Sequence, residues 1–362
     1  MHSEGIDRPI AVFDLGGTWF RWGRFAASHG LLESHRAPAI SYRSHPDSSV
    51  EDLQHALTDF ILRRTREMRD ASQEELHFVS VSVGAPVNAH DETVLGSGPL
   101  WGPAAKPLQL KARLRETVPE LEWYVVNDVT ALLARYMEAG GPFKKTLLIT
   151  ISSGIGSRLY DHRARRIPYD PTHGVQGEIG HLPLTFELEG RVINRQCECG
   201  GWNHLNAFAS GRGIADILRT LPSMCGSCGS LLSVSSEVWE RANDEYRLEA
   251  FETRLEQGNG IALALLDALV TPVSRTLTTA LCLDPEIDRI VITGGVAHGL
   301  GRHYREALHR AFGREGLYQM TSREPQYLAR RLYWDDADDF AGLRGAGLYA
   351  EAQSVRADVP RN

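Results

Sequence analysis

Cysteine is scarce in this chain of 362 residues: there are five, at positions 197, 199, 225, 228 and 282. Cysteines so few and so clustered exclude a disulfide framework and leave metal binding as the first reading of the two close pairs. Cys282, alone in an apolar stretch, reads as inert packing. Excess positive charge is lacking as well. A net charge of −7 offers no basic surface for nucleic acid or anionic lipid, so small-molecule ligands are expected. No signal sequence and no apolar run of membrane-spanning length are recognised, which predicts a cytoplasmic chain without a membrane partner. Also missing are a Gly-Lys-Ser/Thr phosphate loop, a G-x-G-x-x-G fingerprint, low-complexity segments, coiled-coil heptads and short-period repeats.

What is present reads as α/β, long enough for two domains. RPIAVFDLGGTWFRWGRF, from Arg8, is a strand, a glycine turn and a second strand, with Asp14 at the entrance to the turn. Leu53, Leu57, Phe60 and Ile61 recur at helical spacing in a helix ending near Arg69. LHFVSVSV is a strand closing on Gly84. LEWYVV is another, running into Asn127-Asp128, where an acid or amide can cap the helix TALLARYMEAGG that Gly140 and Gly141 should end. KKTLLITIS meets Ser152-Ser-Gly-Ile-Gly156 and then SRLY. Ile261 to Cys282 is a long apolar helix that Pro272 should kink; DRIVITGGVA is a further strand entering a glycine pair, and FAGLRGAGLYAEA a small-residue helix. Each half thus carries strand and glycine-turn units.

The turns at Gly16-Gly17, Gly154-Ile-Gly156 and Gly294-Gly295 suggest a nucleotide phosphate chain held by backbone N–H groups, which approach an anion closely only where side chains are absent. Taken singly, each is equally an ordinary tight turn. Asp128 fits a general base and equally a helix cap. CECGGWNH, residues 197–204, holds one thiol pair, and Cys225-Gly-Ser-Cys228 has zinc-knuckle spacing. The four cysteines can make their own metal site.

In order, DLGGT (14–18), Asn127-Asp128, SSGIG, GEIGH (177–181), CECGGWNH and ITGGV (292–296) resemble the ROK family of sugar kinases and repressors, from about Pro9 to about Ala350. The resemblance implies a two-domain actin-like ATPase fold, ribonuclease-H-like, with an interdomain cleft. Residues 8–128 plus 340–356 would form a small domain with the phosphate hairpin, and 129–339 a large one. It further implies ATP and Mg²⁺, with Asp14 holding the metal through water, Gly16, Gly17 and Thr18 cradling the distal phosphates, and Gly154 and Gly156 facing them. Gly294 and Gly295 would lie against the adenosine. Asp128 would take the proton of a primary hydroxyl as it attacks the γ-phosphorus. Gly84, Asn127, Glu178, His181 and Asn206 would meet the acceptor. A structural Zn²⁺ would be held by His181, Cys197, Cys199 and His204, the last standing where the family has a third cysteine. A homodimer is expected on the same ground.

Two departures from the family pattern bear on the acceptor: the loop from His181 to Cys197 is long, and Asn206 replaces a glutamate that accepts sugar hydroxyls. Ser157-Arg158 replaces two glycines of the phosphate turn, so Arg158 either adds charge near the phosphates or points away. GSGPLWG (96–102) also lacks an Asn-Leu pair often found there. Since asparagine can also donate, these differences favour an ATP-dependent kinase for the exocyclic primary hydroxyl of a modified hexose or a valienone-like C7-cyclitol. Ordinary glucokinase and kanosamine or N-acetylmannosamine kinase are the alternatives. A repressor is disfavoured, because only 13 residues precede Asp14 and the chain is acidic.

Overall fold

The computed structural model describes residues 8–72, 75–137, 141–224, 239, 241–335 and 338–357. The chain divides into two compact units, one of residues 1–141, 164–176 and 337–362, the other of 142–163 and 177–336.

The first unit opens with β1 (Ile10–Leu15), β2 (Trp19–Ala26) and β3 (Gly30–Pro38), then α1 (Val50–Ala71) and β4 (Phe78–Val83). Two short helices, α2 (Gly98–Trp101) and α3 (Leu110–Thr117), lead to β5 (Glu122–Asn127) and α4 (Asp128–Ala134). The sheet order is β3-β2-β1-β4-β5, antiparallel across the hairpins and parallel from β1 through β4 to β5. Alternate residues of β1 point to opposite faces. Ala11, Phe13 and Leu15 join Leu57, Phe60 and Ile61 of α1 in one core, and Ile10 and Val12 join Phe25, Tyr124 and Val126 in another. Ser49 caps α1 in a reciprocal arrangement with Asp52. α4 stops well short of the glycine pair expected to end it. Tyr136 and Met137 donate to Leu133 and Ala134 (2.8 and 3.2 Å), so the last turn tightens to i−3 bonding and ends the α-helical ladder.

The second unit contains β6 (Lys145–Ile151), β7 (Ile155–Asp161), a small hairpin of β8 (Phe186–Leu188) and β9 (Arg191–Ile193), α5 (Asn206–Ala209) and α6 (Gly211–Met224). These are followed by α7 (Asp244–Glu256), α8 (Gly260–Leu283), β10 (Ile287–Thr293), α9 (Gly295–Gly299), α10 (Gly301–Glu315), α11 (Met320–Arg323) and β11 (Leu332–Trp334). Its sheet runs β11-β10-β6-β7, with β6 antiparallel to β7 and parallel to β10. Both sheets therefore share one device, a hairpin whose first strand also pairs in parallel with a later strand. The stretch after His181 is not a plain loop; it folds back as the β8–β9 hairpin with Phe186 stacked on Phe208.

Two sequence expectations are corrected here. α8 is long and apolar enough, by length and composition, to cross a membrane. Its apolar face goes to the core instead: Leu265, Leu266, Leu269, Val270, Val273 and Leu277 are buried, and Asp267 pairs with Arg310 and Arg314 of α10. Cys282 is exposed on the last turn of that helix rather than packed.

The final helix, α12 (Ala341–Ala357), lies against the first sheet, with Leu343, Ala346 and Ala350 completing the core around Val12 and Val126. The first unit thus extends past Asp128 to include α4, because Ala131 is buried in that same core, and it also takes back residues 164–176. There Ala89 N–H donates to Gly174 O (2.9 Å).

Candidate active site and metal centre

In the first unit, Leu15, Val83 and Asn127 stand in one row across β1, β4 and β5. Gly16, Gly84 and Asp128 follow them at the carboxyl edge of three parallel strands, where open α/β sheets place ligands. Gly84 N–H donates to Leu15 O (2.9 Å), and a Cβ built on Gly84 would lie 3.6 Å from both Gly16 Cα and Asp128 Oδ2. Gly16 N–H closes the turn on Trp19 O (3.2 Å), and Thr18 is exposed at its tip.

Asp14, the next-to-last residue of β1, has its side chain 15% exposed, 3.4 Å from Arg21 Nη1 and 3.4 Å from Ser82 Oγ. Burial raises its carboxyl above the usual range, while Arg21 and the Ser82 bond pull the other way. Arg21 was not singled out in the sequence, although hairpin register carried the signal: Asp14 lies opposite Arg21. No local signal marks Gly342, where a Cβ would come 2.5 Å from the Asp14 carboxyl.

Asn127, not Asp128, caps α4. Its Oδ1 accepts from Val129 and Thr130 N–H (3.0 and 3.2 Å), and its Nδ2 donates to Ala85 O (2.8 Å) and Asp128 Oδ1 (2.9 Å). These bonds engage both donors and both acceptor positions of a buried amide. A hydroxyl meeting this amide would displace one of these bonds. Asp128 is half-buried, with Oδ1 also accepting from Val129 N–H (2.9 Å).

The second unit repeats the layout. Ser152 N–H donates to Gly154 O (2.9 Å), Gly156 pairs with Thr150, and the β10 turn lies beside this one. Gly294 has φ +107°, and a Cβ on it would strike Ile151 O at 2.4 Å, so only glycine fits. A Cβ on Gly295 would lie 4.0 Å from Ser152 Oγ. Asn206 Oδ1 accepts from Ile155 N–H (2.6 Å), tying α5 to the 154–156 turn, and its amide lies against Gly180. Glu178, 38% exposed, is met by the buried Arg158 at 3.4 Å.

Ligand atoms of His181, Cys197, Cys199 and His204 all lie within 4.8 Å of one another. Cys199 Sγ is 3.1 Å and Cys197 Sγ 4.0 Å from the Nδ1 atoms of His204 and His181, and the two rings stand at 89°. Tetrahedral zinc with two sulfur and two nitrogen ligands needs separations of about 3.3 to 3.8 Å, so the wider pairs would draw in and the 3.1 Å pair would open slightly to suit it. Burial pushes the Cys197 thiol up to about 11 and holds His181 below the ordinary imidazole value. A bound cation is what makes a thiolate affordable at such a position. Cys225 and Cys228, the competing pair, lie outside the described residues.

The chain superposes on a ROK family glucokinase from Streptomyces griseus, solved with glucose and AMPPNP, at TM-score 0.67 and 18% identity, covering 95% of this chain and 99% of that one. It superposes on a ROK hexokinase from Thermus thermophilus at TM-score 0.63 and 21% identity, covering 96% and 99%. Its fold is that of the two-domain actin-like ATPases. The chain belongs to the ROK family, whose profile matches residues 10–353. It is 38% identical over 346 residues to a 2-epi-5-epi-valiolone 7-kinase of an Actinoplanes species, covering 95% of this chain and 93% of that one. A C(7)-cyclitol 7-kinase of Streptomyces hygroscopicus is 30% identical over 354 residues, covering 95% and 94%.

Proposed function

We propose that this chain is an ATP-dependent kinase that phosphorylates the exocyclic primary hydroxyl of a C7-cyclitol. The observation that carries the reading is the row of Gly16, Gly84 and Asp128 at one strand edge, with Asp14 next to last in β1, two positions before Gly16. The named activities of the Actinoplanes and Streptomyces relatives support the acceptor class.

In this reading Asp128 accepts the hydroxyl proton as the oxygen attacks the γ-phosphorus, and ADP departs with the bridging oxygen's electron pair. Asn127 keeps the Asp128 carboxylate turned toward its work. The turn of Gly16, Gly17 and Thr18 is assigned to cradle the phosphates, with Gly17 and Thr18 as its backbone donors because Gly16 N–H closes the turn on Trp19 O. Gly154 and Gly156 are assigned to face the phosphates, and Gly294 and Gly295 to admit the adenosine. Asp14 is the residue to hold Mg²⁺, which supplies charge neutralisation when bound. Its raised carboxyl fits a group that is stabilised as an anion once a cation is near. Gly84, Glu178, His181 and Asn206 are assigned to the acceptor; with Asn206 Oδ1 already engaged, its Nδ2 is the atom available to meet a carbonyl. His181, Cys197, Cys199 and His204 are assigned to one structural Zn²⁺ that braces the loop bearing these contacts. A homodimer and a cytoplasmic location accompany the reading by family resemblance.

The test is ADP release from Mg-ATP and a keto-cyclitol by the native chain and by Asp128→Asn. Loss of the base is expected to lower kcat by about 10²- to 10⁴-fold with the fold unchanged. A variant that retains most of the activity would remove Asp128 from the role of base.

A further inference from the structure

We propose that Arg158 is a positioning residue that fixes the Glu178 carboxylate for the acceptor. The inference rests on the assignment of Glu178 to the acceptor made above.

Ser157 and Arg158 stand on β7 where the resembling family has two glycines, and each reaches the same short segment. Ser157 holds its backbone: both N–H and Oγ donate to Gly177 O (3.2 and 2.8 Å). Arg158 holds its charge: Nη1 donates to Ser157 O at 2.8 Å and lies 3.4 Å from Glu178 Oε1. The contrast in exposure gives the pair its direction. The Arg158 side chain is 1% exposed and opposite Leu148 in the sheet, whereas that of Glu178 is 38% exposed. A buried guanidinium is a rigid, permanently charged donor, while a half-exposed glutamate by itself samples many rotamers. The fixed partner therefore orders the mobile one. Oε1 is drawn toward the guanidinium, and Oε2 is left to accept from a hydroxyl of the acceptor. Ordering the carboxylate in advance lowers the cost of binding the acceptor and leaves the phosphoryl-transfer step largely untouched.

The test is steady-state kinetics of the full chain with Mg-ATP and a keto-cyclitol, comparing Arg158→Met, Arg158→Lys, Glu178→Gln and the Arg158→Met/Glu178→Gln double variant. Arg158→Met is expected to raise the acceptor KM about tenfold, the usual size for one charge-assisted hydrogen bond, with kcat and the ATP KM changed less than about threefold. Arg158→Lys should recover part of the loss, and the double variant should be no worse than Glu178→Gln alone. Equal effects on both KM values, or additive losses in the double variant, would overturn the proposal. If Glu178→Gln raises the acceptor KM and Arg158→Met does not, Arg158 alone is excluded. If Glu178→Gln changes nothing, the acceptor assignment of Glu178 falls and takes the proposal with it. Should Arg158→Met fail to fold, Arg158→Gln, which keeps an amide donor, provides the same comparison.

Discussion

Asp14 illustrates how a single residue can hold stability and chemistry in opposition. Its folded carboxyl titrates above the ordinary 3.8, with burial as the leading cause. A carboxyl raised in this way favours the folded state only while protonated. Its contribution is complete below pH 3.8, and stability is lost as pH rises from there through the raised folded value. Asp14→Asn is therefore expected to melt at a higher temperature than the native chain at pH 7, with the difference shrinking below pH 4. Activity should fall, because the proposed Mg²⁺ contact is gone. Thermal melts of both chains across pH 3 to 7 check the sign. A less stable variant at pH 7 would contradict it.

The elements show which parts of the site were legible in the sequence. Strands ending in glycine turns are plain, since apolar runs followed by Gly-Gly leave few alternatives; Asp14 falls beside one, whereas Asn127-Asp128 closes a strand that runs straight into a helix. The division of labour between Asn127 and Asp128 was not visible, because adjacent amide and acid can both cap a helix. Only side-chain geometry assigns the cap to Asn127. Arg158 meets the same limit: an arginine in a strand reads as surface charge, and its burial depends on which face of β7 meets the core. The β8–β9 hairpin escaped notice because each strand has three residues, too few for alternation to register. Together with the 197–204 turn, that hairpin makes up the element proposed to carry the metal. Elemental analysis is expected to find one zinc per chain, lost in Cys197→Ser, with Tm lower by roughly 5 °C or more, the shift that about 2 kcal/mol produces in a domain of this size. Full zinc occupancy in that variant would place the metal elsewhere.

Across the whole molecule, neither unit is one continuous stretch of chain. Local sequence patterns do not record this: FAGLRGAGLYAEA announces a small-residue helix but not its partner, which lies more than 300 positions upstream in β1. Gly345 and Gly347 are what the packing needs, since a Cβ on either would collide with Ala131 O or the Phe25 ring. Deleting residues 338–362 removes the cover from Ile10, Val12, Phe25 and Val126. The shortened chain is expected to be insoluble or unfolded by circular dichroism and size-exclusion chromatography. A soluble, folded product would contradict the structural role given to α12.

The proposed function turns on which acceptor the enzyme prefers, and competition between acceptors measures that preference. Purified protein with Mg-ATP is offered glucose, N-acetylmannosamine, 3-aminoglucose and keto-cyclitols, and the phosphorylated position is read by NMR. Phosphate is expected on the exocyclic primary hydroxyl, with kcat/KM for a keto-cyclitol at least about tenfold above that for glucose, a difference of one good polar contact. Glucose turned over as well as or better than every cyclitol would contradict the proposed function.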